Sequence, residues 1–364
     1  MKLDDTLGEM PPQKPFDVND LRFGVEFEFT DPDTASVRWG VPARYRAAAR
    51  RRSDGRGRIA LAWGNLTVRH APSGLSTRLF PHRDQRVLEI ATEPLPLDLF
   101  RRGEAMFQAS VWDACRDVGL SPGTDEINRW SMHVNVSWPA LHAGGDGDLL
   151  LRYVADFNDH PELAMGGCGG DIRNAPPLVI LGPRPREALQ QVIASVAAHS
   201  EDLDAFAVAR LLRQRVFRER FVYGSSLHND FYHAVNVCHV RPRPVRKRRF
   251  RTPSLVRIEI RASYMAPSAA HLVSTLEIVA GRLAYLARQS APLRYIGRLL
   301  PDPPGGRTFR TRGVQDGVTA EGAAACWIRY LEEAGVDPVR HAPYLVNPDV
   351  RAAAHQLLTA GVSP

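Results

Sequence analysis

Glu26 and Glu28 lie two residues apart in Phe23-Gly24-Val25-Glu26-Phe27-Glu28-Phe29, a stretch that is otherwise apolar. A β-strand alternates its side chains, so both carboxylates project from one face while Val25, Phe27 and Phe29 cover the other. Carboxylates about 7 Å apart on one strand face repel unless a cation or an arginine lies between them. That interruption is costly for a purely structural strand, and it predicts one wall of a divalent-metal site. The plain alternative is the solvated face of an edge strand.

Three further stretches repeat the design. Val256-Arg257-Ile258-Glu259-Ile260-Arg261 sets Arg257, Glu259 and Arg261 against Val256, Ile258 and Ile260. Ser131 to Ser137 aligns Ser131, His133, Asn135 and Ser137 on one side. Arg86 to Glu93 also alternates, and its periodicity leaves open both which face meets a cleft and whether Glu89 or Glu93 is the working carboxylate. A sheet with one such face lining a cleft, backed by helices, gathers Glu26, Glu28, Glu89, His133, Asn135, Glu259 and Arg261. The competing readings are a satisfied structural His133, and Glu259 and Arg261 as exposed residues paired with Arg257 across strands. His233 reads as structural, and Asn236, on the opposite face from His233, has no assigned role.

The elements that position these residues follow from pattern and punctuation. Residues 1–20 form a flexible, proline-bearing leader, and a short helix is expected at 42–52 before the turn Ser53-Asp54-Gly55. Strands at 59–70 and 75–80 lead into the Glu89 strand. An amphipathic helix runs from Leu97 to Val118, and another spans 148–158. Residues 159–183, rich in glycine and proline, read as a long loop in which Asp171, Arg173 and Asn174 lie. A helix from Pro185 to Arg220 with a break at Ser200-Glu201, a strand from Phe231 to His239, a basic loop at 241–253 and a helix from Ser268 to Arg288 follow. Residues 301–320 read as linker and 321–364 as a small helical segment. The expected class is α+β: a mainly antiparallel sheet with helices on one side, occupying 21–300 as a single catalytic body.

At 364 residues with 44% hydrophobic content, the chain can bury a large core. It has no run of eighteen apolar residues and no secretory-type N-terminus, so a cytoplasmic protein without a membrane span is expected. Cys115, Cys168, Cys238 and Cys326 have neither disulfide-framework nor zinc spacing and read as reduced thiols. Cys168, among glycines, is the one whose setting suggests exposure. The net charge of +7 invites a nucleic-acid reading. Only Lys2, Lys14 and Lys247 are lysines among 47 basic residues, an imbalance that points to genome composition rather than phosphate binding. Nucleic acid is therefore disfavoured as a partner, and the runs Arg50-Arg51-Arg52 and Arg246-Lys247-Arg248-Arg249 read as solvated loops. No P-loop and no strand-following Gly-x-Gly-x-x-Gly occurs.

The ordered blocks resemble the amidoligase family, within the glutamate–cysteine ligase and glutamine synthetase superfamily. Gly24-Val25-Glu26-Phe27-Glu28-Phe29 is similar to its Gly-x-Glu-x-Glu opening, and Glu89-Ile90-Ala91-Thr92-Glu93-Pro94 to its Glu-x-x-(Ser/Thr)-x-Pro segment. His133-Val134-Asn135-Val136-Ser137 resembles its His-x-(His/Asn)-x-(Ser/Gly) strand, and Ile258-Glu259-Ile260-Arg261 its late Glu-x-Arg strand. The blocks span 22–264. Between the first two, where the family carries an acidic segment, this chain places Arg38, Arg44, Arg46 and Arg50–Arg52.

The resemblance implies a carboxylate–amine ligase whose curved antiparallel sheet forms a funnel for ATP and two or three Mg2+ ions, with Mn2+ as substitute. Glu26 and Glu28 would share the metals, and Glu89, Glu259 and His133 would complete the shells. His133, Asn135 and Arg261 would face the nucleotide, and Arg261, Glu259 and Glu28 would form the catalytic set. The γ-phosphate would pass to a carboxylate, giving an acyl phosphate that an amine attacks, with small-molecule or peptide acid and amine as substrates. The rivals are a phosphotransferase of the same fold and a basic, non-catalytic protein that binds nucleic acid or an acidic partner.

Overall fold

Alternation in the strands and 3.6-residue periodicity in the helices divide the chain into one large sheet and the helices that cover its apolar face. The computed structural model describes residues 16–30, 50–53, 59–62, 66–70, 74–84, 87–122, 131–160, 183–198, 204–217, 221–223, 226–228, 233–242, 256–293, 295 and 319–360. The strands, in chain order, are β1 (Arg22–Thr30), β2 (Arg50–Ser53), β3 (Ile59–Ala62), β4 (Leu66–His70), β5 (Leu75–Asp84) and β6 (Val87–Thr92). Then come β7 (Ser121–Pro122), β8 (Ser131–Ser137), β9 (Phe221–Tyr223), β10 (Ser226–His228), β11 (Val235–Asn236) and β12 (Ile258–Tyr264).

The main sheet has the order β11-β12-β8-β1-β6-β5-β3-β2, with β4 on β5 and β7 on β1, while β9 and β10 pair apart from it. Every pairing is antiparallel. The α+β expectation therefore stands as an open antiparallel sheet with helices. β1, the strand with the carboxylate pair, lies inside the sheet between β8 and β6, so an edge-strand reading of Glu26 and Glu28 is excluded.

Val25, Phe27, Phe29, Leu88, Ile90, Val134, Val136, Ile258 and Ile260 are buried in one continuous core. Trp112 packs edge-on against Phe27 and Phe29 with centroids 5.1 and 6.4 Å away, and its indole N–H donates to Ala266 O at 2.7 Å. Aromatic pairs at this separation add to their area burial. The helical stretch begins at Leu97 as expected, but Gly103 interrupts it and Gln108–Asp113 widens into a π-turn before Ala114–Arg116. The long helix Ala269–Ala287 is buried along most of one side and is capped by Ser268, whose hydroxyl accepts from His271 N.

Three expectations fail. The helix expected at 42–52 is overturned where the structure describes it: Arg50–Ser53 is strand β2, paired along its length with β3. The backbone groups of these four residues are satisfied by the ladder with β3. The strand expected from Phe231 to His239 shrinks to Val235–Asn236, because the chain turns at 238–239. Residues 16–20, assigned to the leader, are ordered: Val18–Asp20 forms a 3-10 turn capped by Asp17, and Phe16 packs edge-on to Trp138 at 6.1 Å. Most of the 159–183 loop, the 241–253 loop and the 301–320 linker lies outside the described residues.

The last helices, Ala320–Glu333, Pro338–His341 and Pro348–Thr359, enclose a small core around Trp327, Ile328, Leu331 and Val350. They dock on the helix Ala269–Ala287. Arg282 in that helix donates to Asp156, to Glu333 and to Tyr330 O, with its guanidinium 3.9 Å from the Tyr330 ring centroid. Gly281 permits the approach, since a Cβ there would lie 2.3 Å from Val336 Cγ2.

Candidate functional site

Register places the expected residues on the sheet face opposite the core. In the β1–β8 ladder Glu26 stands opposite His133 and Gly24 opposite Asn135; in β1–β6 Glu28 stands opposite Glu89. Glu259 of β12 pairs with Asn135 on one side and with Asn236 of β11 on the other. A register shift then brings in the arginine. Ile260 pairs with Val134 and Ser263 with Met132, so Arg261 and Ala262 together stand against His133 alone. Such a bulge bends the strand and re-aims a side chain. The Arg261 amide is held by Ala234 O at 2.9 Å.

The side chains converge. His133 Nδ1 lies 2.9 Å from Glu26 Oε2 and 3.7 Å from Glu259 Oε1. Asn135 Nδ2 donates to Glu26 Oε1 at 3.2 Å, and its Oδ1 accepts from Arg257 Nε at 2.7 Å. Arg261 Nη1 donates to Glu259 Oε1 at 2.9 Å. Glu259 Oε2 accepts from Asn236 Nδ2 at 2.9 Å and lies 3.6 Å from His239 Nε2.

Burial would push both carboxyls up, and their neighbours reverse that. For Glu26 the hydrogen bond and charge of His133, with Arg257 behind, hold the carboxyl below its usual value against the opposing charge of Glu259. For Glu259 the neighbouring His239 imidazole and the charges of Arg261 and His133 bring it down to about 2. His133 moves the other way: burial disfavours its charge, but the bond to Glu26 and the charges of Glu28 and Glu26 raise it despite Arg261. The cluster therefore carries two carboxylates held ionised around an imidazole favoured as its cation.

One ligand atom each from Glu26, His133 and Glu259 lies within 4.8 Å of the others. Octahedral ligands at about 2.1 Å from an ion are about 3 Å apart when cis and about 4.2 Å when trans; the 2.9 Å separation matches a cis pair and the 3.7 Å separation lies between the two. Two oxygens with one imidazole nitrogen suit Mn2+ at least as well as Mg2+. Glu28 and Glu89, both buried, extend the acidic face by one ladder rung. Glu93 is engaged elsewhere: its Oε1 accepts from Arg78 N at 2.8 Å and its Oε2 from Arg78 Nε at 2.9 Å. Of the two carboxylates that periodicity left open, only Glu89 pairs with β1.

No family model matches the chain, and no curated protein matches it.

The sequence reading missed Asn236 and His239, which hold the far oxygen of Glu259, and Arg257 as the partner of Asn135. A signal was available in part, since Arg257 shares the alternation of Glu259. Asn236 offered none, because a two-residue strand has no periodicity. A cavity of about 50 Å³ lies on the other side of the sheet, lined by Met132, Val134, Ile260, His271, Ser274 and Trp327 among others, out of reach of the carboxylate face. Cys115 and Cys238 are buried and Cys326 is half-buried. Cys168, Asp171, Arg173, Asn174 and the run Arg246–Arg249 lie outside the described residues. Among the described residues no helix is long and apolar enough to cross a membrane.

Proposed function

We propose that this protein is an ATP- and Mg2+-dependent carboxylate–amine ligase with a glutamine synthetase-like catalytic domain, forming an amide or peptide bond through an acyl phosphate. The observation that carries this reading is the donor set of Glu26, His133 and Glu259 within 4.8 Å, on the sheet face shared with Glu28 and Glu89. A polyphosphate cannot approach so acidic a face unless divalent ions intervene, and neutralising that charge is what the metal supplies when bound. Glu26 and Glu259 give oxygen donors, and His133 a nitrogen donor once a bound ion displaces its proton. Asn135 fixes the Glu26 carboxylate through Oε1, leaving Oε2 toward His133. Glu28 and Glu89 form the second wall. Arg261 and Arg257 border the same face as positive charges, placed to stabilise an oxyanion in transfer. The acceptor is a small-molecule or peptide carboxylate, and the attacking group an amine.

Calorimetric titration of ATP with Mg2+ or Mn2+ into the wild-type protein and into Glu26→Ala/Glu28→Ala tests this. Metal-dependent binding by the wild type alone is expected. Absence of ATP binding at millimolar concentration with either metal would end the reading. ADP release that requires a carboxylate but no amine would replace the ligase by a phosphotransferase.

A further inference from the structure

Glu259 is fixed from behind. Its Oε2 accepts from Asn236 Nδ2 at 2.9 Å, and Asn236 is anchored in turn because its Oδ1 accepts from the Cys238 amide at 2.7 Å. With Oε2 tied to β11, Oε1 is the oxygen turned to His133, at 3.7 Å. That same atom accepts from Arg261 Nη1 at 2.9 Å. An ion shared by Glu26, His133 and Glu259 and the Arg261 guanidinium therefore claim one oxygen.

We propose that Arg261 is a resident stand-in cation: it neutralises Glu259 Oε1 when no metal is bound, yields that oxygen to a divalent ion, and turns its charge to an incoming oxyanion. Metal and oxyanion then bind cooperatively. This rests on the metal-dependent reading given above and adds to it an order of events and a residue that enforces it.

Three features support the exchange. Arg261 opens the two-against-one bulge opposite His133, where the ladder is irregular and the strand bends so as to re-aim its side chains. Its side chain retains 19% exposure against 5% for Glu259, so the arginine has a path to solvent that the carboxylate lacks. A guanidinium carries five donors, so it can release one acceptor and keep others. Arg257 gives the contrast: its Nε donates to Asn135 Oδ1, an oxygen outside the donor set, whereas Arg261 donates to Glu259 Oε1 itself.

The test is calorimetric titration of Mn2+ alone into the wild type, Arg261→Gln and Arg257→Gln, in chloride and in sulfate at matched ionic strength. Sulfate serves as a tetrahedral oxyanion. Arg261→Gln should bind Mn2+ on the order of tenfold more tightly than wild type in chloride, the ratio expected when one competing charge-assisted hydrogen bond is removed. Arg257→Gln, which removes the same charge but leaves the Arg261 bond to Glu259 Oε1 in place, should shift far less. Sulfate should tighten Mn2+ binding in the wild type, by the reciprocity that links two ligands, and leave Arg261→Gln unchanged.

Equal Mn2+ affinity in wild type and Arg261→Gln overturns the exchange while leaving the metal-dependent reading intact, and so does equal tightening by both arginine substitutions. Failure of every protein to bind Mn2+ at millimolar concentration overturns both. Should Arg261→Gln not fold, a crystal structure of the wild type soaked in Mn2+ decides: the guanidinium should have left Glu259 Oε1, and an ion seated beside an unmoved Arg261 refutes the proposal.

Discussion

Two buried histidine–glutamate clusters among the described residues differ in how their charge is balanced. In the sheet face, His133 lies between Glu26 and Glu259 and also feels the charge of Glu28, with Arg261 as the opposing cation, so carboxylates outnumber cations acting on the imidazole. Where the C-terminal helices dock, Glu277 Oε1 accepts from both Arg101 Nε and Arg340 Nη2, while His341 Nε2 lies 3.7 Å from Oε2. The second cluster has more cation than carboxylate, and His341 turns its Nδ1 to the Ser274 hydroxyl at 2.8 Å. Burial lowers both histidines; at His133 the bond to Glu26 and the charges of Glu28 and Glu26 overcome it and the net shift is up, whereas at His341 Arg340 and Arg101 add to it and the net shift is down. A carboxylate saturated by two arginines is a fastener, whereas carboxylates that crowd one imidazole retain affinity for a further cation.

Arg282→Met should be the sharpest break on the docking side. It strips the partner from Asp156, whose side chain is 10% exposed, and removes the tie to Glu333 and Tyr330 O. A cost of about 3–5 kcal/mol in urea unfolding is expected, with Mn2+ binding by the folded protein unaltered. Next come two matched substitutions that should dissociate stability from binding. Glu277→Gln should cost about 2 kcal/mol of unfolding free energy, because two arginines lose their charged acceptor, and leave Mn2+ affinity unchanged. Glu26→Gln should cost about 1 kcal/mol at most and weaken Mn2+ binding by at least about 100-fold. If Glu277→Gln weakened the metal, or Glu26→Gln spared it, the division of labour between the clusters would be wrong.

The pH dependence sharpens the same contrast. Burial first, then Arg340 and Arg101, depress His341 despite Glu277 and Asp337; burial and Arg351 depress His271. A histidine depressed in the folded state takes up its proton more readily when unfolded, so its contribution is full above the unfolded value of 6.5 and falls as pH drops below it. Urea midpoints should therefore decline below about pH 6.5, and His341→Gln should flatten that decline. The smallest effect is expected at Gly24, where a Cβ would meet only Asn135 Cβ at 3.7 Å, an ordinary contact. Gly24→Ala should shift the melting temperature by no more than about 2 °C.

The strands that carry the site were legible because each sets large apolar residues against polar ones without interruption: Phe27 between Glu26 and Glu28, Val134 between His133 and Asn135, Ile258 and Ile260 around Glu259. Their assembly in the order β12-β8-β1-β6 was anticipated only as a shared face, since no alternation encodes which strands are neighbours. The choice between Glu89 and Glu93 needed a partner outside the segment, the Arg78 main and side chain that claims Glu93. The bulge at Arg261 left no mark in the sequence, because an extra residue in one strand is visible only against the strand beside it. Asn236 and His239 escaped for a related reason: their position depends on a turn after a two-residue strand, where local pattern carries no weight.

The Arg282 node has a consequence for how the molecule assembles. It joins positions 126 residues apart through Asp156 and 51 apart through Glu333. Contacts so distant along the chain form only after long loops have closed, so they contribute little to the rate-limiting step of folding and act mainly as a brake on the return journey. The C-terminal helices would then be the last piece to arrive and the first to leave, opening as a unit well before the sheet gives way.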